Sequence, residues 1–154
     1  MDLLIELKNL IKVLDKEKID YALCGGLALA VYARPRATLD IDIMVQPDLL
    51  DKIKQIVADL GFNIPAMPMT FKGGVVKIHR MTKIDNESGE HLPLDLLIVT
   101  PETRICWDSR ISVEWEGGIL KVLSPKGLIM LKLLRNSGQD RDDIEYLREL
   151  IYED

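Results

Sequence analysis

Aromatic residues make up only 5% of the 154 positions, so the core is expected to be aliphatic, built from Leu, Ile and Val. Cysteine is almost missing. Cys24 and Cys106 lie far apart and match no metal or redox spacing, so they read as reduced, buried thiols rather than a disulfide framework. His79 and His91 have no ligand-spaced partner; they read as a strand surface residue and a turn residue. No uninterrupted apolar run is long enough to cross a membrane. No internal repeat or low-complexity tract interrupts the chain. Bulk positive charge is also missing: the net charge of -5 argues against a protein that grips nucleic acid by overall charge, although a local patch is compatible with it. The first turn carries Asp2 and Glu6 inside an amphipathic pattern, which is unlike a signal peptide, so the expectation is a cytoplasmic protein.

What is present suits one domain of ordinary size, covering residues 1–154, with 47% hydrophobic residues to fill its core. Residues 2–17 place Leu3, Leu4, Leu7, Leu10, Ile11 and Leu14 at helical spacing. A short strand over 20–24 runs into Gly25-Gly26, and residues 27–33 suit a buried helix broken at Arg34-Pro35-Arg36. Residues 38–45 alternate as a strand, and Pro47-Asp48 opens a helix over 48–60 that stops at Gly61. Residues 74–81 and 92–99 read as a hairpin around a polar turn at 85–90. A short helix after Pro101 follows, then a strand pair at 110–115 and 118–123. Ser124-Pro125 caps a helix to about Leu134, and a last helix covers roughly 140–151. This order fits an α/β or α+β fold with a mixed sheet.

Two aspartates stand out. Asp40 and Asp42, two apart on a strand, project from the same face, while Leu39, Ile41 and Ile43 take the other. Aspartate is disfavoured in strands and like charges side by side repel. A hard divalent cation such as Mg²⁺ or Mn²⁺ would offset both costs; an exposed strand face carrying two acids is the plainer alternative. A third acid, Asp95, sits between leucines in LPLDLLIVT, where an unpaired buried carboxylate is costly. If its strand lies beside 38–45, three acids meet and could hold two metals for an in-line phosphoryl transfer.

Gly25 and Gly26 let backbone approach a phosphate closely at a strand-to-helix turn. Arg36 and Thr38 precede Asp40 at alternating spacing; Arg36 reads as a counter-charge for triphosphate or as a solvated loop charge. Lys132, among leucines, reads first as snorkelling to water, and otherwise as a point charge on a β- or γ-phosphate. Asp140, Arg141 and Asp143 read as capping residues of the last helix. Lys72, Lys77, Arg80 and Lys83 read as a solvated basic face that could meet an RNA or phosphorylated acceptor, and Trp107 and Trp115 as packing.

The run GGLALAVYARPRATLDIDIMV resembles the nucleotidyltransferase superfamily of the DNA polymerase β type. Its signature is Gly-[Gly/Ser], a short helix, Asp-x-Asp on a strand and a third acid on a later strand. Here these are Gly25-Gly26, thirteen residues, Asp40-Ile41-Asp42, and Asp95. The form is similar to small bacterial members: minimal nucleotidyltransferases, abortive-infection toxins, and antibiotic nucleotidyltransferases with an Arg-x-Thr-x-Asp-x-Asp run. KLLRNSGQDRDDIEYL is similar to their C-terminal helical segment. The resemblance spans roughly residues 20–150 and implies a small mixed sheet with helices on one side and C-terminal helices. It implies transfer of a nucleoside monophosphate from an NTP, expected to be ATP, to an acceptor hydroxyl of RNA, protein or a small molecule. Asp40, Asp42 and Asp95 would be the metal ligands and catalytic acids. Gly25, Gly26, Arg36, Thr38 and Lys132 would meet the nucleotide. Gly26 departs from the family's frequent Ser, leaving phosphate contact to backbone N–H groups. The rival readings are a toxin–antitoxin component acting mainly on or through a protein partner, and a scaffold that keeps its acids for metal-dependent stability.

Overall fold

Asp2 starts the first helix by accepting from the backbone N–H groups of Leu4 and Ile5 at 2.9 and 3.2 Å, which satisfies two donors no helical carbonyl can reach. Helix α1 (Leu3–Lys16) then buries Leu7, Leu10, Ile11 and Leu14 along one stripe. The computed structural model of the chain describes residues 1–32, 40–116, 118–135, 144–145, 147–149 and 151. After α1 come β1 (Ala22–Cys24), α2 (Gly25–Val31), β2 (Ile41–Val45) and α3 (Leu50–Asp59). Next are β3 (Ile64–Pro65), β4 (Met69–Phe71), β5 (Val76–Ile84) and β6 (His91–Ile98). Helix α4 (Arg104–Asp108), β7 (Ile111–Trp115), β8 (Gly118–Val122) and α5 (Pro125–Arg135) complete the named elements. Residues 144, 145, 147–149 and 151 are also helical, within the span expected for the last helix.

Among the described residues the strands form one mixed eight-stranded sheet in the order β3-β5-β6-β2-β1-β8-β7, with β4 also paired to β5. The expected hairpin is present: β5 and β6 pair antiparallel from Lys77 opposite Ile98 to Ile84 opposite His91. Its turn closes where Asp85 accepts from Gly89 N–H at 2.7 Å through its backbone carbonyl. His91 therefore opens β6 rather than sitting in the turn. The sequence pattern did not resolve β3 and β4, which are short and half-exposed or exposed, too brief to show a period of two.

Strand β2 lies at the centre, antiparallel to β1 and parallel to β6, and all five of its residues are buried. The plainer alternative for this strand was an exposed face carrying two acids. The sheet instead buries both faces of it, so Asp42 is carried inside with Ile41, Ile43 and Met44. The core is aliphatic as expected, and among the described residues its largest fully buried side chains include only two aromatics, Tyr21 and Phe62. Trp107 is buried and Trp115 packs half-buried against the core. Both cysteines are buried free thiols. No described helix is long and apolar enough to cross a membrane.

Candidate active site

Register decides the site. In the β1–β2 pair Cys24 opposes Asp42, in β2–β6 Asp42 opposes Asp95, and in β5–β6 Arg80 opposes Asp95. Directly opposed residues project from the same face of a sheet. Arg80, Asp95, Asp42 and Cys24 thus form one transverse row over four adjacent strands. Asp40 stands two residues before Asp42, on the same face, just outside β2. Carboxylate oxygens of Asp40, Asp42 and Asp95 all lie within 4.8 Å of one another.

The three acids differ in environment. Asp42 and Asp95 are only 8% and 4% exposed, while Asp40 is half-buried. Burial pushes the Asp42 carboxyl well above the usual range, and the charges of Asp40 and Asp95 push it further. Asp42 also shares a hydrogen bond with Asp95, and Arg135 opposes the rise. At Asp42, burial and the neighbouring acids thus outweigh the opposing charge of Arg135. Hard oxygen donors gathered in this way fit Mg²⁺ or Mn²⁺.

The passage from β1 into α2 needs glycine at Gly25, the helix's first residue. Its φ is +67°, and a Cβ there would overlap an Asp42 carboxylate oxygen. The backbone thus passes against the acid itself. Gly26 is buried in the first turn of α2, and Cys24 caps the helix without a side-chain bond. Burial and the neighbouring Asp42 raise the Cys24 thiol well above its ordinary value, so the sulfur is held protonated and inert.

Two cations were missed in the sequence. Arg80 does not belong to a solvated basic face. Its Nε and Nη2 donate to Asp95 Oδ1 and Oδ2 at 2.7 and 2.9 Å, and Nη2 lies 3.8 Å from Asp40 Oδ2. A hairpin signal was available: once the turn closes at Ile84 and His91, counting four residues back along each strand puts Arg80 opposite Asp95. Lys83, from the same segment, pairs with Glu6 of α1 at 2.9 Å, whereas Lys72 and Lys77 are exposed. Arg135, the last residue of α5, acts electrostatically on both Asp42 and Cys24 and lies over the Phe71 ring at 5.8 Å. Nothing in the sequence distinguishes it from an ordinary helix C-terminal cation.

Lys132 corrects the first reading. It is 5% exposed, so it does not snorkel to water. It lies one helical turn before Arg135 on α5, and its charge is felt at Cys24. Arg36 and Thr38 lie outside the described residues, as do Asp140, Arg141 and Asp143. An apolar cavity of about 350 Å³ opens elsewhere, between α1, α2, β7 and β8, and none of the three acids lines it.

No protein-family model and no curated protein matches the sequence. Solved structures do. A candidate nucleotidyltransferase from Thermotoga maritima matches with a TM-score of 0.59 over 98% of this chain and 93% of its own, at 20% identity. The chain has the nucleotidyltransferase fold. The antibiotic-resistance factor ANT(2'')-Ia, in complex with adenylyl-2''-tobramycin, matches with a TM-score of 0.61 over 96% and 88% of the two chains at 13% identity. A candidate nucleotidyltransferase from H. pylori gives 0.52 over 94% and 65% at 19% identity. On this fold, the sequence-predicted Asp40, Asp42, Asp95 and Gly25 come together, and Arg80 and Arg135 join them.

Proposed function

We propose that the chain is a metal-dependent nucleotidyltransferase that moves a nucleoside monophosphate from an NTP to an acceptor hydroxyl and releases pyrophosphate. The observation that carries this reading is the meeting of three carboxylates, from β6, from β2 and from the residue just before β2, within 4.8 Å on a nucleotidyltransferase fold. Asp40 and Asp42 would hold Mg²⁺ against the triphosphate, and Asp95 a second ion near the acceptor. When bound, such ions offset charge on the phosphates and make the hydroxyl more acidic. The acceptor oxygen bonds to the α-phosphorus while the bond from that phosphorus to the bridging oxygen breaks, and pyrophosphate leaves with the electron pair. Asp95 would help remove the hydroxyl proton.

The chain's own residues do the positioning. Gly25, bare of a side chain, brings the backbone against Asp42, and Gly26 follows it in the first turn of α2; both are assigned to the phosphates from the sequence. Lys132 and Arg135, one turn apart on α5, would balance the triphosphate; Arg36 is assigned to the same task and Thr38 to nucleotide contact from the sequence. ATP is our candidate donor, and the adenylylated product held by ANT(2'')-Ia favours that choice. The same neighbour favours a hydroxyl on a small molecule over an RNA end as acceptor, in keeping with the net charge of -5.

The test is incubation of the protein with Mg²⁺ and labelled NTPs in a cell lysate, followed by identification of what becomes labelled. Transfer that depends on Mg²⁺ and disappears in Asp42→Asn supports the reading. Label transfer that persists in that variant counts against it.

A further inference from the structure

We infer that Arg80 is a positioning residue that fixes the carboxylate plane of Asp95 and restricts it to binding a cation through one oxygen at a time. The inference rests on the transferase reading of the same site. The guanidinium and the carboxylate meet as two forks, Nε to Oδ1 at 2.7 Å and Nη2 to Oδ2 at 2.9 Å. A carboxylate offers about four lone-pair directions. Arg80 fills one on each oxygen, so the pair of directions a chelated ion would share is occupied. An oxygen of Asp95 still lies within 4.8 Å of one on each of Asp42 and Asp40. A residue in the neighbouring strand can do this because Arg80 and Asp95 are register partners, held by the whole β5–β6 hairpin.

Charge alone does not account for the geometry. Arg80 is 35% exposed at its side chain, whereas Asp95 is 6% exposed at its own, so the arginine reaches in from the rim to a buried acid. A counter-ion would serve from any direction. The observed fork instead selects a plane, which a lysine with its single point charge does not. The 3.8 Å approach of Nη2 to Asp40 sets the arginine at the edge of the three-acid group rather than within it. The space among the three carboxylates is thereby left to a cation.

The experiment measures Mn²⁺ binding by the loss of the free ion's paramagnetic resonance signal, in wild type, Arg80→Lys, Asp95→Asn and the double variant, with melting temperatures taken beside it. Wild type should bind Mn²⁺. Arg80→Lys should melt near wild type yet bind Mn²⁺ roughly 10–100-fold more weakly, the usual loss when a residue that orients a ligand is removed. The double variant should bind no more weakly than Asp95→Asn, because the arginine acts through that acid. Equal Mn²⁺ affinity in Arg80→Lys and wild type would overturn the inference, and so would losses that add. If Arg80→Lys fails to fold, adding Asp95→Asn should restore the folded protein; failure to restore it would show that Arg80 serves packing and sink the proposal. Wild type that binds no Mn²⁺ would overturn the transferase reading itself, a result distinct from any of these.

Discussion

At the scale of single residues, the burial of Asp42 works against stability. Its carboxyl lies well above the ordinary 3.8, through burial first and then the neighbouring acids. Below that ordinary value both folded and unfolded chains hold the proton, and the group costs nothing. As pH rises past about 4 the unfolded chain releases it while the folded chain keeps it, so stability falls until the raised pKa is passed. Asp42→Asn should abolish transfer and remove this slope. In chelator the variant should melt with wild type near pH 4 and above it at pH 8, as read by thermal denaturation. Gly25→Ala attacks the same contact from the backbone. The left-handed φ costs a non-glycine residue about 1–2 kcal/mol, and the new Cβ must displace the Asp42 carboxylate. Transfer should drop at least tenfold, about 1.4 kcal/mol in barrier, with the fold kept, as judged by circular dichroism and turnover.

At the scale of elements, the β5–β6 hairpin is the part that turns separate sequence positions into a site. A slip of one residue would turn Asp95 to the other face of the sheet, away from Asp42. Register is held by the turn and by buried Leu92, Leu94 and Leu96 together. Gly89 in the turn has φ +74° with open space around it, so Gly89→Ala meets only the backbone cost. That variant should lose about 1–2 kcal/mol, some 2–8 °C in melting temperature, while transfer stays at the wild-type rate because the leucines still hold the register. Helix α1 is tied to the same hairpin by Glu6 and Lys83, a partly buried pair bonded through both carboxylate oxygens. Glu6 and Lys83 alone contain no hint of each other in the sequence, since 77 positions separate them.

For the whole molecule, a divalent cation should act as a folding ligand. A species that binds only the folded chain stabilises it by about 2.7 kcal/mol at a hundred times its dissociation constant. Melting in Mg²⁺ against chelator should therefore rise by several degrees in wild type and not in Asp42→Asn, a comparison that differential scanning fluorimetry can read. The strand and helix order apart from β3 and β4, the aliphatic core and the pairing of Asp40 with Asp42 were legible along the chain because each rests on local periodicity: two for strands, 3.6 for helices. Gly25 was legible as a turn, although its reason, the Asp42 carboxylate beside it, was not. Spacing along the chain sets Asp40 and Asp42 on one face and puts a third acid in an apolar strand. That β6 lies parallel to β2 with Asp95 level with Asp42, that Arg80 grips Asp95 and that Lys132 is buried came from the folded sheet and the helix packed on it. Those outcomes depend on strand order and register across the sheet, which are set by packing between distant segments and leave no periodic trace in any one of them.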